Sequence, residues 1–268
     1  MGEVRATMKE PFYTYYIRSE WRGRTEAPAS VGAKFVKTLD ALSSTDALLA
    51  TWEIIDARAL SSLPLAEARP RIARIIEDNV ARNDFGNPAP DYGYHANART
   101  SRVRDPRNVS FSVHAGGRLV GDTMLEFGEH EVAPDLTIVT YALVKAALLA
   151  IDAVWLPVWA CAQCRRSGAI HVPFELGDAQ AFMLKGVPQV PSDPTFPDSV
   201  FHIPWLAYLS APLAAGLKLA PEVQTEPTPD GGLLMTAAEE RLDPTNPDHL
   251  HRARILAETM MARTGLSS

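Results

Sequence analysis

The sequence predicts an α+β fold: a mostly antiparallel sheet with helices packed on it, in a single domain spanning 1–268 with an ordered core of about 12–265. Three observations carry this. Short alternating segments such as Val109–His114 put Val109, Phe111 and Val113 on one side and Ser110, Ser112 and His114 on the other, the period of a half-buried strand. Turn signals at Gly116-Gly117 and Pro229-Asp230-Gly231-Gly232 join such segments as hairpins. Amphipathic helical stretches lie between them without a strict strand–helix alternation, which favours antiparallel over doubly wound topology.

In chain order, aromatic and β-branched Phe12–Arg18 reads as a strand. Ser30–Leu42 reads as a helix, with Val31, Phe35, Leu39 and Leu42 at helical spacing. A short helix near Thr45 or Asp46 leads to Trp52 and Ile54-Ile55. Leu65–Val80 reads as one helix, with Pro70 in its first turn or at its true start. Asn83–Asp91 is a turn-rich loop, and Tyr92–Thr100 pairs with Val109–His114. Thr123–Phe127 is a strand, Leu136–Ile151 a buried helix, and Val154–Ala162 a buried strand or loop–strand. Trp205–Leu217 is expected to open with a short helix. Gln224–Pro227 and Leu233–Thr236 flank the second hairpin turn. Asp248–Arg263 closes the chain as a helix, with Asn246 fitting its cap and Pro247 its first turn.

Composition excludes several classes. With 46% hydrophobic and 22% charged residues the chain has the make-up of a globular protein, not a disordered one. Two cysteines form no disulfide framework. The first ten residues lack an apolar signal core, and Leu136–Ile151, interrupted by Lys145, is too short for a span of about 20 residues. A cytoplasmic protein with no membrane partner is expected.

Charge is uneven. The net charge is −6, and residues 121–268 hold 18 acidic against 9 basic side chains, or −9. Asp122, Glu126, Glu129, Glu131 and Asp135 fall within fourteen residues that contain no Lys or Arg. Glu239, Glu240 and Asp243 form a second acidic group before the last helix. Phosphate contacts require a basic face, so nucleic acid is not expected as a partner of this half, whereas a basic protein would suit it. The arginines 99, 102, 104 and 107, with Asp105 among them, read as a solvated edge.

No nucleophile elbow, phosphate-binding loop or HExxH motif is present, and no cofactor is expected. Cys161-Ala-Gln-Cys164 with His171 offers the one alternative, a thiol- or metal-dependent enzyme. A structural zinc site needs four ligands, and Cys161 and Cys164 on a strand would point to opposite faces. Two ordinary thiols are the plainer reading.

Several motifs occur in a telling order: Trp21-Arg22-Gly23-Arg24, Trp52, Gly93-Tyr94, Gly116-Gly117, Trp155-Leu156-Pro157-Val158-Trp159, Trp205–Ser210, Gly231-Gly232, and Asp243-Pro244-Thr245-Asn246-Pro247-Asp248-His249. This order resembles the immunity protein 52 family of bacterial polymorphic-toxin systems, across about Phe12 to Gly265. The resemblance implies a non-enzymatic partner of a cognate toxin from a type VI secretion system. That toxin would carry a restriction-endonuclease-like nuclease domain, which the immunity protein neutralises to protect the producing cell and its kin. The two acidic groups named above are the expected toxin contacts.

Overall fold

The structure is a computed structural model that describes residues 12–56, 59–102, 104–128, 132–166, 202–217 and 219–264. Its strands are β1 (Tyr13–Trp21), β2 (Glu53–Asp56), β3 (Ser61–Pro64), β4 (Tyr94–Arg99), β5 (Val109–Ala115), β6 (Gly121–Phe127), β7 (Trp159–Arg166), β8 (His202–Leu209), β9 (Gln224–Pro227) and β10 (Leu233–Thr236). Its α-helices are α1 (Pro28–Ser43), α2 (Leu65–Ala68), α3 (Ile72–Asp78), α4 (Tyr141–Trp155), α5 (Ala211–Ala214) and α6 (Pro247–Thr264). All ten strands join one sheet in the order β3-β2-β4-β5-β6-β1-β7-β8-β10-β9. Every pairing is antiparallel. The α+β expectation is met.

Strand alternation sorts the sheet into two faces. Register places Ile17, Leu125, Phe111 and Ala98 in one cross-strand row, and Tyr15, Phe127 and Val109 in the next. These residues are buried beneath α1, α3 and α4. Phe35 of α1 stacks on Phe111 at 5.8 Å. Trp155 of α4 stacks on Trp21 at 5.0 Å and donates its indole N–H to Thr38 Oγ1 at 2.8 Å. Burying an indole N–H is costly unless it finds an acceptor, so this bond fixes α4 against α1.

On the second face, Ser110, Ser112, His114 and Asp122 are half-buried, whereas Tyr16 and Glu126 are buried. Beyond β1 the alternate positions Cys161, Ala207 and Met235 are fully buried, and α6 packs on β8 there.

Five elements depart from expectation. Pro70 breaks the anticipated single helix into α2, a 3₁₀ turn at Arg69–Arg71, and α3, because proline supplies no backbone donor. The apolar helix begins at Tyr141 instead of Leu136, since the Thr140 side chain caps it by accepting from Leu143 N at 3.2 Å. It therefore continues through Val154 and Trp155, where a strand was expected, and stops at left-handed Leu156 before Pro157. Trp205 lies inside β8, not at a helix start. The β7–β8 register shifts between Ala162 and Gln163, and this bulge accommodates Pro204. The short polar edge strand β3 lacked a sequence signal.

Candidate protein-binding surface

Strand β6 places Asp122 and Glu126 on the second face, opposite Leu125. Cross-strand pairing aligns His95, His114, Asp122 and Glu20 in one row, and Arg99, Ser110, Glu126, Tyr16 and Gln163 in another. The acidic run has no basic neighbour in sequence, but neighbouring strands supply them. Asp122 lies 3.7 Å from Arg18 and 3.8 Å from His114. Glu126 is only 6% exposed and faces Arg165 at 3.5 Å. The Arg165 guanidinium also lies over the Tyr16 ring at 5.6 Å. Glu126 is thus part of the packed sheet and not displayed on a strand end.

Asp135 sits in the β6–α4 connection. Its Oδ1 accepts from Thr137 N at 3.0 Å and Thr137 Oγ1 at 2.6 Å, and Arg107 approaches at 3.7 Å. The Thr137 bonds hold this carboxyl below its ordinary range. Glu129 and Glu131 lie outside the described residues.

The second acidic group is different, because Glu239, Glu240 and Asp243 are all exposed. Two of them are rigidly held. Asp243 Oδ1 accepts from Thr245 N at 2.8 Å and Thr245 Oγ1 at 2.7 Å, which depresses its pKa. Buried His249 accepts the Asp243 backbone N–H at Nδ1, 3.1 Å away, so its proton resides on Nε2. Nε2 then donates to Glu240 Oε1 at 2.7 Å, and this bond lowers the Glu240 pKa. No sequence signal marks His249 for this role, because its two-residue step to His251 brings no convergence on a helix.

The whole 237–246 segment is pinned to the body. Tyr15 Oη donates to the Leu242 carbonyl and Trp205 Nε1 to that of Ala238, both at 2.8 Å. Arg252 reaches the Ala237 carbonyl at 3.1 Å. Arg241 crosses to the β6–α4 connection and donates to the Leu136 carbonyl at 2.7 Å.

Two adjoining depressions follow from this arrangement. One, of about 380 Å³, lies between Tyr13, Tyr15, Pro134, Leu136, Leu242 and Pro244, with Asp243 at its edge. The other, of about 440 Å³, runs past Val139 and Tyr141 to Glu239 and Glu240. They share Leu136 and Arg241. Sequence pattern could not reveal the apolar lining, because Leu136 and Val139 read as helix core and Leu242 as an isolated leucine.

The C-x-x-C does not converge. Cys161 aligns with Arg18 and Cys164 with Tyr15, on opposite faces of β7. Both thiols are fully buried, and burial pushes both pKa values up, the reverse of an activated nucleophile. His171 lies outside the described residues. Among the described residues no group of three or more His, Cys, Asp or Glu side chains could hold a metal ion. Nor is any helix among them long and apolar enough to cross a membrane.

One buried acid was not anticipated. Asp152 of α4 is 6% exposed and lies within hydrogen-bond reach of Tyr208 on β8. Burial, then the nearby Asp230 charge, pushes its pKa up to about 7. Tyr208 already donates its hydroxyl proton to Asp230 Oδ2. A hydroxyl has one proton, so a bond between Tyr208 and Asp152 must use the proton of Asp152.

Comparison with known proteins adds fold information only. No family model matches the chain, and no curated protein matches it either. The resemblance to the immunity protein 52 family therefore rests on the order of motifs. Among solved structures, the Pseudomonas aeruginosa T6SS protein PA0821 is similar in fold, with a TM-score of 0.54 and 12% sequence identity. The similarity covers 94% of this chain and 77% of that one.

Proposed function

We propose that this chain is an immunity protein that binds and neutralises a cognate nuclease toxin of a type VI secretion system, acting in the cytoplasm to protect the producing cell and its kin. The observation that carries this reading is the shared fold with a T6SS protein over 94% of the chain. The motif order supports it independently, because that order points to toxin immunity. The surface chemistry is compatible. A nuclease presents a positive face to nucleic acid, and an inhibitor with ordered, exposed carboxylates can engage it. The role is non-enzymatic, with a protein as its partner. The buried, opposed thiols offer no support for the thiol-enzyme alternative.

The test is co-expression. A nuclease-toxin gene adjoining this one is placed under an inducible promoter, with and without this chain. Survival of cells carrying both, loss of viability in cells carrying the toxin alone, and co-purification of the two proteins are expected. Equal killing in both strains refutes the proposal.

A further inference from the structure

We infer that the groove between 132–140 and 237–246 seats an extended segment of the partner protein, one that carries an apolar side chain flanked by lysines or arginines. This rests on the protein-binding reading above and names the chemistry of what is bound.

The groove has the parts such a segment needs. Its floor is apolar: Tyr13, Tyr15, Pro134 and Leu242 line one depression, and Val139 and Tyr141 the other. Leu136, 40% exposed, forms the ridge between them. Its rim is acidic: among the described residues that line it, three exposed carboxylates, Glu239, Glu240 and Asp243, stand against Arg241, with Arg252 close to Glu240. Arg241 is committed to the Leu136 carbonyl and ties the two depressions together. Phosphate-bearing ligands are repelled by such a rim. A lysine or arginine suits it, since the aliphatic stem lies along apolar surface while the charged head reaches the carboxylates.

The groove is also preformed. The bonds from Tyr15, Trp205, Arg252, His249 and Arg241 hold the 237–246 backbone in place before any ligand arrives. Binding then orders little of this protein, which retains more of the contact energy as affinity.

The acidic group alone is ordinary. Its distinction is the apolar floor between the charges, where a residue of the partner can be desolvated. Buried apolar anchors ringed by polar contacts dominate most protein interfaces. In this chain the ring is acidic, so the matching segment is basic.

The proposal is tested on the full chain without the toxin. Isotope-labelled protein is titrated with three capped hexapeptides sharing a central Phe-Leu: one flanked by lysine and arginine, one by glutamine, and one by glutamate. Saturable amide shifts with the basic peptide, confined to 132–140 and 237–246 and their contacts, are expected. Glu239→Gln with Asp243→Asn should weaken that binding at least tenfold, and Leu136→Ser should weaken it for the basic and glutamine peptides alike. No saturable shift at millimolar basic peptide, shifts elsewhere, or equal binding of the glutamate peptide overturns the inference. Peptide binding in the groove together with failed protection in cells sinks the toxin reading alone. Protection that survives Glu239→Gln, Asp243→Asn and Leu136→Ser combined removes the groove and leaves the toxin reading standing.

Discussion

Replacing Asp152 with asparagine should stabilise the protein at alkaline pH far more than at acid pH. The carboxyl is buried between α4 and β8, and its Oδ1 has no hydrogen-bond partner among the described residues. Burial and Asp230 raise its pKa from 3.8 to about 7. A raised folded pKa means that the folded state holds a proton which the unfolded chain releases. The wild-type fold therefore loses stability as pH climbs from about 4 to about 7, and the loss is complete above that window. Between pH 5 and pH 8 about two units of that shift are traversed, worth at most about 3 kcal/mol at roughly 1.4 kcal/mol per unit. Asp230 is exposed to solvent, and screening there reduces the figure to between about 1 and 2 kcal/mol. Asparagine keeps the shape and cannot ionise. Urea unfolding of both proteins at pH 5 and pH 8, compared at constant m-value, reads the effect. The stability difference, variant minus wild type, should grow by about 1 to 2 kcal/mol from the lower pH to the higher. Any fixed offset from the amide cancels in that comparison. A difference that stays constant with pH refutes the assignment of a retained proton to Asp152.

Two further outcomes separate packing from surface. Glu126→Lys sets a second cation beside Arg165 in a nearly buried site and should cost roughly 2–4 kcal/mol in thermal or chemical unfolding, whereas Glu239→Lys on an exposed rim should change stability by less than about 0.5 kcal/mol. The two thiols should resist a water-soluble maleimide in the native protein and react only at the rate of unfolding, because both are fully buried with raised pKa values; rapid native labelling of either would contradict their placement in the sheet.

The chain by itself determined the elements whose local pattern agrees with their tertiary setting. Val109–Ala115 alternates because one of its faces meets α1 and the other meets solvent, and that period is visible residue by residue. The Gln224–Pro227 and Leu233–Thr236 hairpin follows from its Asp-Gly-Gly turn, and Pro247–Thr264 from its N-terminal punctuation. Local signals failed where a distant contact outweighed them. Trp205 looks like the start of an apolar helix until a bulge opposite Gln163 seats Pro204 and frees the indole to bond Ala238. Leu136 and Val139 look like helix core until the Thr140 cap leaves them lining a groove. Charge shows the same limit most clearly. Asp122 and Glu126 stand without a cation in the sequence, yet antiparallel pairing brings Arg18, His114 and Arg165 to them from up to 104 residues before and 39 after. Glu239, Glu240 and Asp243 lie in the segment between β10 and α6, where all three are exposed. Composition determines how much charge a chain carries. Which carboxylates face water and which face an arginine is decided by strand order, and strand order arises from contacts that no local window contains.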